Sequence, residues 1–443
     1  HVAQGRVSLE RCPPLFCAPK WPPPPPAQPA CAMAHQLKRP RLMKSTSALG
    51  DFDLDSFVED RGRLGTLPSR AGVPPASPAL RPGEPAAAAK TALLVMKFGG
   101  SSLAGVEHLR RVAGIVRRAL PSRPVLVLSA MGKTTDHLLD AAENAMKTGT
   151  ANICKIRSAH DAIFSAIGVA TPAGVEALLS ELERILSGIG LLKEISGRTR
   201  DLVVSFGERL SVRVFEAFFN SQETASDTPA GNGNARRVPA RAFDSWEIGM
   251  QTTSGAGSSD SAFSQVEVLG SSYANIASHL TPLETNYSYV PVVTGYVAKD
   301  IQGTVTTLGR DGSDLTATII GAAVHASEVQ IWKDVSGIQT MDPRLVPNSK
   351  PVGVLTYEEA AELTVFGAKV VHPAAVMPAW LDKVPMSVRN SMEPEHPGTR
   401  IVAELGPGEA RRGPVIAMSC KKGITMIVIR STRMLGQHGF LAH

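Results

Sequence analysis

A lysine followed by two glycines, near the start of the apolar part of the chain, has the residue types that bind phosphate. Lys97, Gly99, Gly100 and Ser101 stand between a short apolar run and the segment Val106–Leu120, whose apolar residues repeat at helical spacing. Glycines let backbone N–H groups approach a phosphate closely, and a helix N-terminus favours anions. The lysine adds a compact positive charge. These residues predict a phosphate-binding turn; a plain tight turn with a surface lysine is the alternative.

A second glycine–lysine pair, in Met131–Thr134, does not predict a P-loop. It follows an apolar strand and precedes a helical segment, as a P-loop would. That motif also requires a glycine five positions before its second glycine, and Val127 stands there, inside the predicted strand. The sequence therefore excludes a P-loop nucleoside triphosphatase.

Charged side chains also occupy a glycine loop between a predicted strand and a predicted helix, in Thr307–Asp314. Ser313 is predicted to be the N-cap of that helix. Arg310 can hold a carboxylate or a phosphate through two parallel hydrogen bonds. Asp314, in the first helical turn, can orient a lysine or a metal ion. A capped helix that merely carries surface charges is the alternative interpretation.

Three further segments place charged residues where strands or helices begin or end. Glu208 is predicted to open a helix and can bind an ammonium group. Lys333 and Asp334 follow a predicted strand, and open α/β sheets bind ligands at the carboxyl ends of their strands. Lys369 is a second candidate lysine for phosphate. His372 stands between two valines and a proline, which favours a structural role over a catalytic one.

Composition and charge exclude several classes of protein. The chain has 443 residues, of which 43% are hydrophobic and 19% charged, an ordinary globular balance. Residues 1–92 contain 12 Lys and Arg against 7 Asp and Glu, so they carry five of the six net positive charges. The remainder is close to neutral, which disfavours nucleic-acid binding. No apolar run approaches the ~18 residues of a membrane-spanning helix. Five cysteines without a C-x-x-C pair predict neither a zinc site nor a disulfide scaffold.

Proline content separates a predicted leader from the folded part. Residues 1–92 hold 16 of the 33 prolines and show no periodicity, which predicts a disordered segment. Within it, Met33–Gly50 has four basic residues and no acidic one, as is typical of an organelle transit peptide. A disordered tail without targeting function is the alternative. The transit-peptide reading predicts a chloroplast location, and the cytoplasm follows otherwise.

Strands and helices alternate from residue 93 to about residue 405, which predicts a layered α/β protein with a largely parallel sheet. Pro124–Ala130 and Asp201–Phe206 are predicted strands. Thr356–Glu359 is a capping box that opens a short helix. A polar insertion at 221–240 predicts a surface loop, and residues 404–414 predict a linker. The following segment, 412–443, is too short to bury a core of its own.

Six motifs, taken in order, resemble those of aspartate kinase, most closely of the monofunctional plant and algal type. They are KFGGSS (97–102), LSAMGKTT (128–135), SFGERLS (205–211), TTLGRDGSD (306–314), WKDVSGIQTMDPR (332–344) and FGAKVVHP (366–373). The resemblance covers about residues 93–405 as a catalytic domain. It implies the three-layer α/β/α sandwich of the amino-acid kinases, with a mainly parallel central sheet. Residues 424–436 resemble the opening of an ACT domain, so that 412–443 is expected to be the truncated start of one.

The resemblance implies transfer of the γ-phosphoryl group of MgATP to the β-carboxylate of L-aspartate. The product is 4-phospho-L-aspartate, at the first step of lysine, threonine and methionine biosynthesis. A carboxylate with a pKa near ~4 is already ionised at neutral pH, so the reaction needs no general base. Catalysis then depends on positioning and on positive charge. The implied cofactors are ATP and Mg²⁺, and the family is usually homodimeric through its ACT domains.

The same resemblance assigns a role to each matching residue. Lys97 stabilises the transferring phosphoryl group, and Asp314 organises that lysine. Arg310 binds the α-carboxylate of aspartate and Glu208 its ammonium group, with Thr135 and Ser313 also at the substrate. No protein ligand to a metal is implied. The implied ATP-binding residues are Lys97, Gly99, Gly100, Ser101, Ser129, Lys333, Asp334, Gln339, Arg344 and Lys369.

Two other functions stay open at this point. One is a different kinase of the same family, acting on acetylglutamate, glutamate or a nucleotide. Glu208 together with Arg310 favours a free amino acid, which needs one partner for its cation and one for its anion. The other is a non-catalytic amino-acid sensor, which the presence of Lys97, Arg310 and Asp314 disfavours.

Overall fold

The computed structural model describes residues 92–222, 238–254, 266–365, 371–406, 409 and 415–419. These residues belong to one compact unit, Pro75–His443. The predicted leader, most of the 221–240 insertion, Lys369 and the segment resembling an ACT domain lie outside the described residues. Among the helices that are described, none has the length and hydropathy needed to span a membrane.

An eight-stranded sheet forms the centre of the molecule, in the order β3-β5-β2-β1-β8-β10-β11-β9. All neighbouring strands are parallel except β10 and β11, which are antiparallel. A smaller sheet, in the order β4-β6-β7, contains the β6–β7 hairpin. The strands are β1 (Leu94–Phe98), β2 (Pro124–Leu128), β3 (Ala240–Phe243), β4 (Gln251–Thr252), β5 (Val290–Thr294), β6 (Val297–Asp300), β7 (Val305–Thr307), β8 (Glu328–Lys333), β9 (Val354–Thr356), β10 (Met386–Asn390) and β11 (Thr399–Val402).

Helices cover both faces of the large sheet, and each face has its own apolar core. The predicted three-layer α/β/α sandwich is thereby confirmed. On one face lie α1 (Val106–Ala119), α2 (Thr134–Thr148), α3 (Cys154–Ile167), α4 (Ala173–Leu192) and α5 (Gly197–Gln222). On the other lie α6 (Ser271–Leu280), α7 (Gly312–Ala323), α8 (Tyr357–Val365) and α9 (Pro373–Leu381).

Strand β1 is buried on both faces, which explains its nearly continuous apolar sequence. Leu94, Met96 and Phe98 belong to the core shared with α1–α5, whereas Val95 belongs to the core shared with α6–α9. Because side chains alternate along a strand, Lys97 follows Val95 onto the second face. The lysine therefore lies on the side of the sheet that α7 covers.

The predicted strand Asp201–Phe206 is wrong, because these residues form part of α5, a helix of 26 residues. A short segment of six residues, four of them apolar, is compatible with a strand or with a buried helix turn, and only length distinguishes the two. Glu208 consequently lies in the middle of α5 and does not open a helix. The seven-residue spacing places Asp201 and Glu208 on the same side of this helix.

Two predictions about helix starts have different outcomes. Ser313 is not the N-cap of α7, because the helix already begins at Gly312. Its N-cap is Asp311, which lies in the left-handed region with φ of 55°. The capping box at α8 is confirmed. The backbone N–H of Thr356 donates to the Glu359 carboxylate over 2.9 Å, and the Glu359 N–H donates to the Thr356 hydroxyl over 3.3 Å.

Candidate active site

Two lysines from neighbouring strands converge on one buried aspartate. The parallel pairing of β1 with β8 aligns Phe98 with Trp332, so Lys97 and Lys333 both lie at the carboxyl end of the sheet. Lys97 Nζ is 2.5 Å from Asp314 Oδ1, and Lys333 Nζ is 3.0 Å from Asp314 Oδ2. Asp314 is fully buried in the first turn of α7. The fold thus assembles two cations around one anion where open α/β sheets bind ligands.

Lys97, Asp314 and Lys333 form an ion triad whose net charge is positive. Burial alone would raise the pKa of Asp314, but Lys97 and Lys333 outweigh that effect and hold its pKa below the ordinary value. The carboxylate therefore stays ionised and neutralises only one of the two lysines. One positive charge remains, fixed in a buried place, where it can stabilise negative charge developing on a phosphoryl group.

Replacing Asp314 with asparagine is expected to destabilise the protein strongly. The change leaves two ammonium groups facing each other without the buried anion between them, which lowers the free energy of unfolding by about 3–5 kcal/mol. Urea denaturation near neutral pH measures this loss. Glu143→Gln, which removes an exposed carboxylate paired with Lys147, is the matched control and should change stability little. Equal stability of the two variants would contradict the proposed buried triad.

The turn after β1 requires glycine for a packing reason. The backbone N–H of Gly99 donates to the Trp332 carbonyl over 3.1 Å, which ties the turn to the end of β8. Gly100 accepts a hydrogen bond from the Gly132 N–H at 3.0 Å. A Cβ on Gly100 would lie 2.6 Å from the Ala130 carbonyl oxygen, too close for any side chain. The glycine–lysine loop after β2 therefore supports the candidate phosphate turn.

Glu208 presents a buried carboxylate oxygen without a hydrogen-bond partner. Its side chain is 4% exposed, and Oε1 accepts the Ala130 N–H over 3.2 Å. Among the described residues, no group donates a hydrogen bond to Oε2. Burial raises the pKa of Glu208 to about 8, against the opposing effects of the Ala130 N–H and of the Lys97 charge. A buried acceptor of this kind is suited to a cationic ligand that supplies the missing donors.

Two residues beside Glu208 were not singled out in the sequence. Asp201 accepts a hydrogen bond from the Thr307 hydroxyl over 3.0 Å, which joins α5 to the end of β7. Tyr296, just after β5, has a φ of 67° and a hydrogen bond to the Thr307 side chain. Burial raises the pKa of Tyr296 to about 12, with Glu208 and Asp201 adding to the effect. Had this segment been predicted as a helix, the seven-residue spacing would have placed Asp201 on the same side as Glu208.

The remaining residues predicted to bind substrate occupy the same end of the sheet. Thr135 stands at the start of α2, and its hydroxyl is 3.7 Å from the position of a Cβ on Gly207, next to Glu208. Ser313 is buried against Gly295, at the end of β5. Arg310 is exposed and forms no ion pair with any described residue. Its guanidinium is therefore free to take an anion.

The predicted nucleotide-binding residues beyond β8 do not join the triad. Asp334 is exposed, and Gln339 forms an isolated β-bridge with Pro351. Arg344 is 81% exposed in its side chain, and its guanidinium binds the Asp342 carboxylate over 2.7 Å. The structure places these residues along one loop after β8, and their contact with a nucleotide stays a prediction.

Comparisons with known proteins agree with the family indicated by the motifs. Residues 92–390 match the model of the amino acid kinase family. The chain is 41% identical, over 79% of its length, to "Aspartokinase 1, chloroplastic" of Arabidopsis thaliana, and it covers 58% of that protein. It is 31% identical to "Lysine-sensitive aspartokinase 3" of Escherichia coli strain K12, again over 79% of its length, and it covers 72% of that protein. The chain thus spans about three fifths of its plant relatives and more of the bacterial one.

A solved structure shows the same relationship. The structure of Escherichia coli aspartokinase III in complex with aspartate and ADP superposes with a TM-score of 0.56 and 30% sequence identity. The matched region covers 71% of this chain and 65% of that chain. The family model, the curated relatives and the shared fold lead to one conclusion. The chain belongs to the amino acid kinase family and, within it, to the aspartokinases.

Proposed function

We propose that this protein transfers the γ-phosphoryl group of ATP to the β-carboxylate of L-aspartate. The observation that carries the proposal is the ion triad of Lys97, Asp314 and Lys333 at the carboxyl ends of β1 and β8. This triad places a fixed positive charge beside a glycine turn, which is what a transferring phosphoryl group requires. A bacterial relative of the same family has been solved with aspartate and ADP.

Each charged group then has one task in the reaction. Lys97 neutralises charge on the transferring phosphoryl group, and Asp314 holds the ammonium groups of Lys97 and Lys333 in place. The backbone of the turn at Gly99 and Gly100 cradles the phosphates. The attacking carboxylate is already ionised, so positioning and charge supply the rate enhancement without a general base.

Substrate choice rests on two groups of opposite charge. Glu208 Oε2 is a buried acceptor without a donor among the described residues, and it suits the ammonium group of an amino acid. Arg310, exposed on its glycine loop, suits the α-carboxylate. An N-acetylated substrate has no ammonium group and would leave the Glu208 carboxylate unsatisfied. The pair therefore favours a free amino acid over acetylglutamate.

Magnesium is proposed to enter with the nucleotide. Among the residues that the structure describes, no group of three or more His, Cys, Asp or Glu side chains converges on a point. Mg²⁺ commonly keeps several waters and is bound through substrate phosphates together with one or two carboxylates. When bound, it would neutralise charge on the ATP phosphates beside the triad. Asp314 is already engaged by two lysines.

The domain organisation and location follow from the same family assignment. We propose that residues 93–405 are the catalytic domain and that residues 412–443 begin an ACT domain, through which two chains associate. Residues 1–92 would serve as a leader, with a chloroplast as the destination. Curated relatives from Arabidopsis thaliana and Zea mays are named as chloroplastic, which supports this location.

A hydroxylamine trap tests the proposed activity directly. Acyl phosphates react with hydroxylamine to give hydroxamates, so L-aspartate with MgATP should yield aspartyl hydroxamate and an equal amount of ADP. L-Glutamate and N-acetyl-L-glutamate serve as competing acceptors. Hydroxamate from either of these, and not from aspartate, would transfer the assignment to another kinase of the family. Absence of ADP release with every acceptor would favour a non-catalytic sensor.

A further inference from the structure

A basic cleft lies outside the candidate active site, between α4, α5 and the β6–β7 hairpin. Its volume is about 390 Å³. Its charged side chains come from three elements: Glu181 from α4, Arg198 and Arg209 from α5, and Lys299 from β6. None of the residues predicted to bind ATP or aspartate lines it.

The cleft carries more positive charge than its own acids neutralise. Within the described part of the chain, Arg198 and Lys299 form no ion pair with any acidic side chain. Lys299 Nζ lies 4.5 Å from the centre of the Trp246 ring, so its charge is held over an aromatic face. Among the described residues, Glu181 forms an ion pair with Arg209 alone, at 3.6 Å. Two cations of the cleft, Arg198 and Lys299, thus have no ion-pair partner among the residues that the structure describes.

Arg209 is fixed in one orientation at the wall of this cleft. Its guanidinium lies 4.9 Å from the Phe206 ring centre and 5.8 Å from that of Trp246. Asp244 holds its Nε at 3.4 Å and is itself bound by Arg213 at 2.9 Å. A side chain held by ring contacts and by an ion pair loses little freedom when it binds a ligand. Arg209 is therefore a preorganised donor.

We propose that this cleft is a second ligand site, which binds a small anion carrying two or more negative charges. Arg198 and Lys299 supply the unneutralised charge, and Arg209 supplies fixed N–H donors. A phosphate ester and a polycarboxylate share this chemistry. The site is separate from the nucleotide site and has its own set of residues.

A ligand in the cleft would act on the substrate residues through two shared elements. Arg209 adjoins Glu208 on α5, and the β6–β7 hairpin leads through Thr307 to Arg310. On the substrate side these elements are already joined by the Asp201–Thr307 hydrogen bond. An anion that bridges α5 and the hairpin would fix the spacing of Glu208 and Arg310. This coupling to aspartate binding rests on the proposed function.

Calorimetric titration of the whole chain tests the site without any assay of activity. The probes are pyrophosphate and citrate, in Mg²⁺-free buffer, and the comparison between them distinguishes phosphate from carboxylate recognition. The double variant Arg198→Gln/Lys299→Gln is expected to bind at least about tenfold more weakly than wild type. The matched control, Arg184→Gln/Lys155→Gln, removes two exposed cations outside the cleft and should bind as wild type does.

Several outcomes would overturn the proposal. Equal affinities of the cleft variant and the matched control would place the binding elsewhere, including at the nucleotide site. A heat signal that increases linearly with probe concentration, and that chloride also produces, would show ionic screening and no specific binding. The single variant Arg198→Gln changes an exposed residue and serves if the double variant misfolds. An unchanged KM for aspartate in the presence of a bound probe would refute the coupling between the cleft and aspartate binding. Whether the cleft binds an anion at all is decided by calorimetry alone.

Discussion

Replacing Lys97 with alanine is expected to lower kcat about a thousandfold, since it removes the charge aimed at the transferring phosphoryl group. The fold should persist, because Asp314 keeps Lys333 as its partner at 3.0 Å. The aspartate hydroxamate assay under saturating substrates measures the rate. Thermal unfolding followed by circular dichroism shows whether the variant has the same structure.

The control for this prediction is Lys155→Ala, which removes an exposed lysine of α3 that forms no ion pair among the described residues. Its kcat should equal that of wild type. If Lys97→Ala also turned over at close to the wild-type rate, Lys97 would have no part in the chemistry. A rise in KM without a fall in kcat would assign Lys97 to ground-state binding instead.

The KM for L-aspartate is expected to fall as the pH rises from about 6.5 to about 8.5, with Glu208 as the cause. Burial raises the pKa of Glu208 to about 8, so below that pH the free enzyme holds a proton on the carboxyl group. An ammonium group binds the ionised form, and its binding must displace that proton. KM should therefore fall by up to about tenfold for each pH unit, and should level off above the pKa.

Glu208→Gln should abolish this pH dependence and raise KM by about 10- to 100-fold, since a neutral amide replaces a charged acceptor. Initial rates over the same pH range give both results. Glu183→Gln, an exposed change on α4, is the matched control and should keep the wild-type profile. A glutamine variant that retains the wild-type slope would show that another group titrates.

The same raised pKa has a consequence for stability, of opposite sign to the usual behaviour of a carboxylate. The unfolded chain ionises Glu208 near the ordinary glutamate pKa of 4.5, whereas burial raises the pKa of Glu208 in the folded chain to about 8. Between these values the folded state binds more protons, so the free energy of unfolding falls as the pH rises. Glu208→Gln should lose this decline, and urea denaturation at both ends of the range measures it. If the wild type became more stable than the variant as the pH rises over this range, Glu208 would not be buried and protonated in the folded chain.

Local patterns in the sequence were sufficient to predict the layers of the fold and the turn after β1. Continuous apolar runs predict buried parallel strands, and two glycines after Lys97 predict a tight turn, because both depend on nearby residues alone. The prediction of a strand at Asp201–Phe206 was wrong because its outcome did not depend on nearby residues alone. A six-residue segment with four apolar side chains fits a strand or a helix, and packing of α5 against the sheet decided between them.

Only the tertiary structure determines which residues that are distant in sequence come into contact. The residue types at positions 97, 208, 310 and 314 were readable as candidates for phosphoryl transfer to an amino acid, since charge and hydrogen-bonding capacity belong to a side chain wherever it lies. The meeting of Lys97 with Lys333 and Asp314 depends on the pairing of β1 with β8, which are separated by more than two hundred residues of sequence. The burial that raises the pKa of Glu208, and the cleft around Arg209, exist only once α5 has packed. Distance and desolvation are set by the whole fold, and no local pattern encodes them.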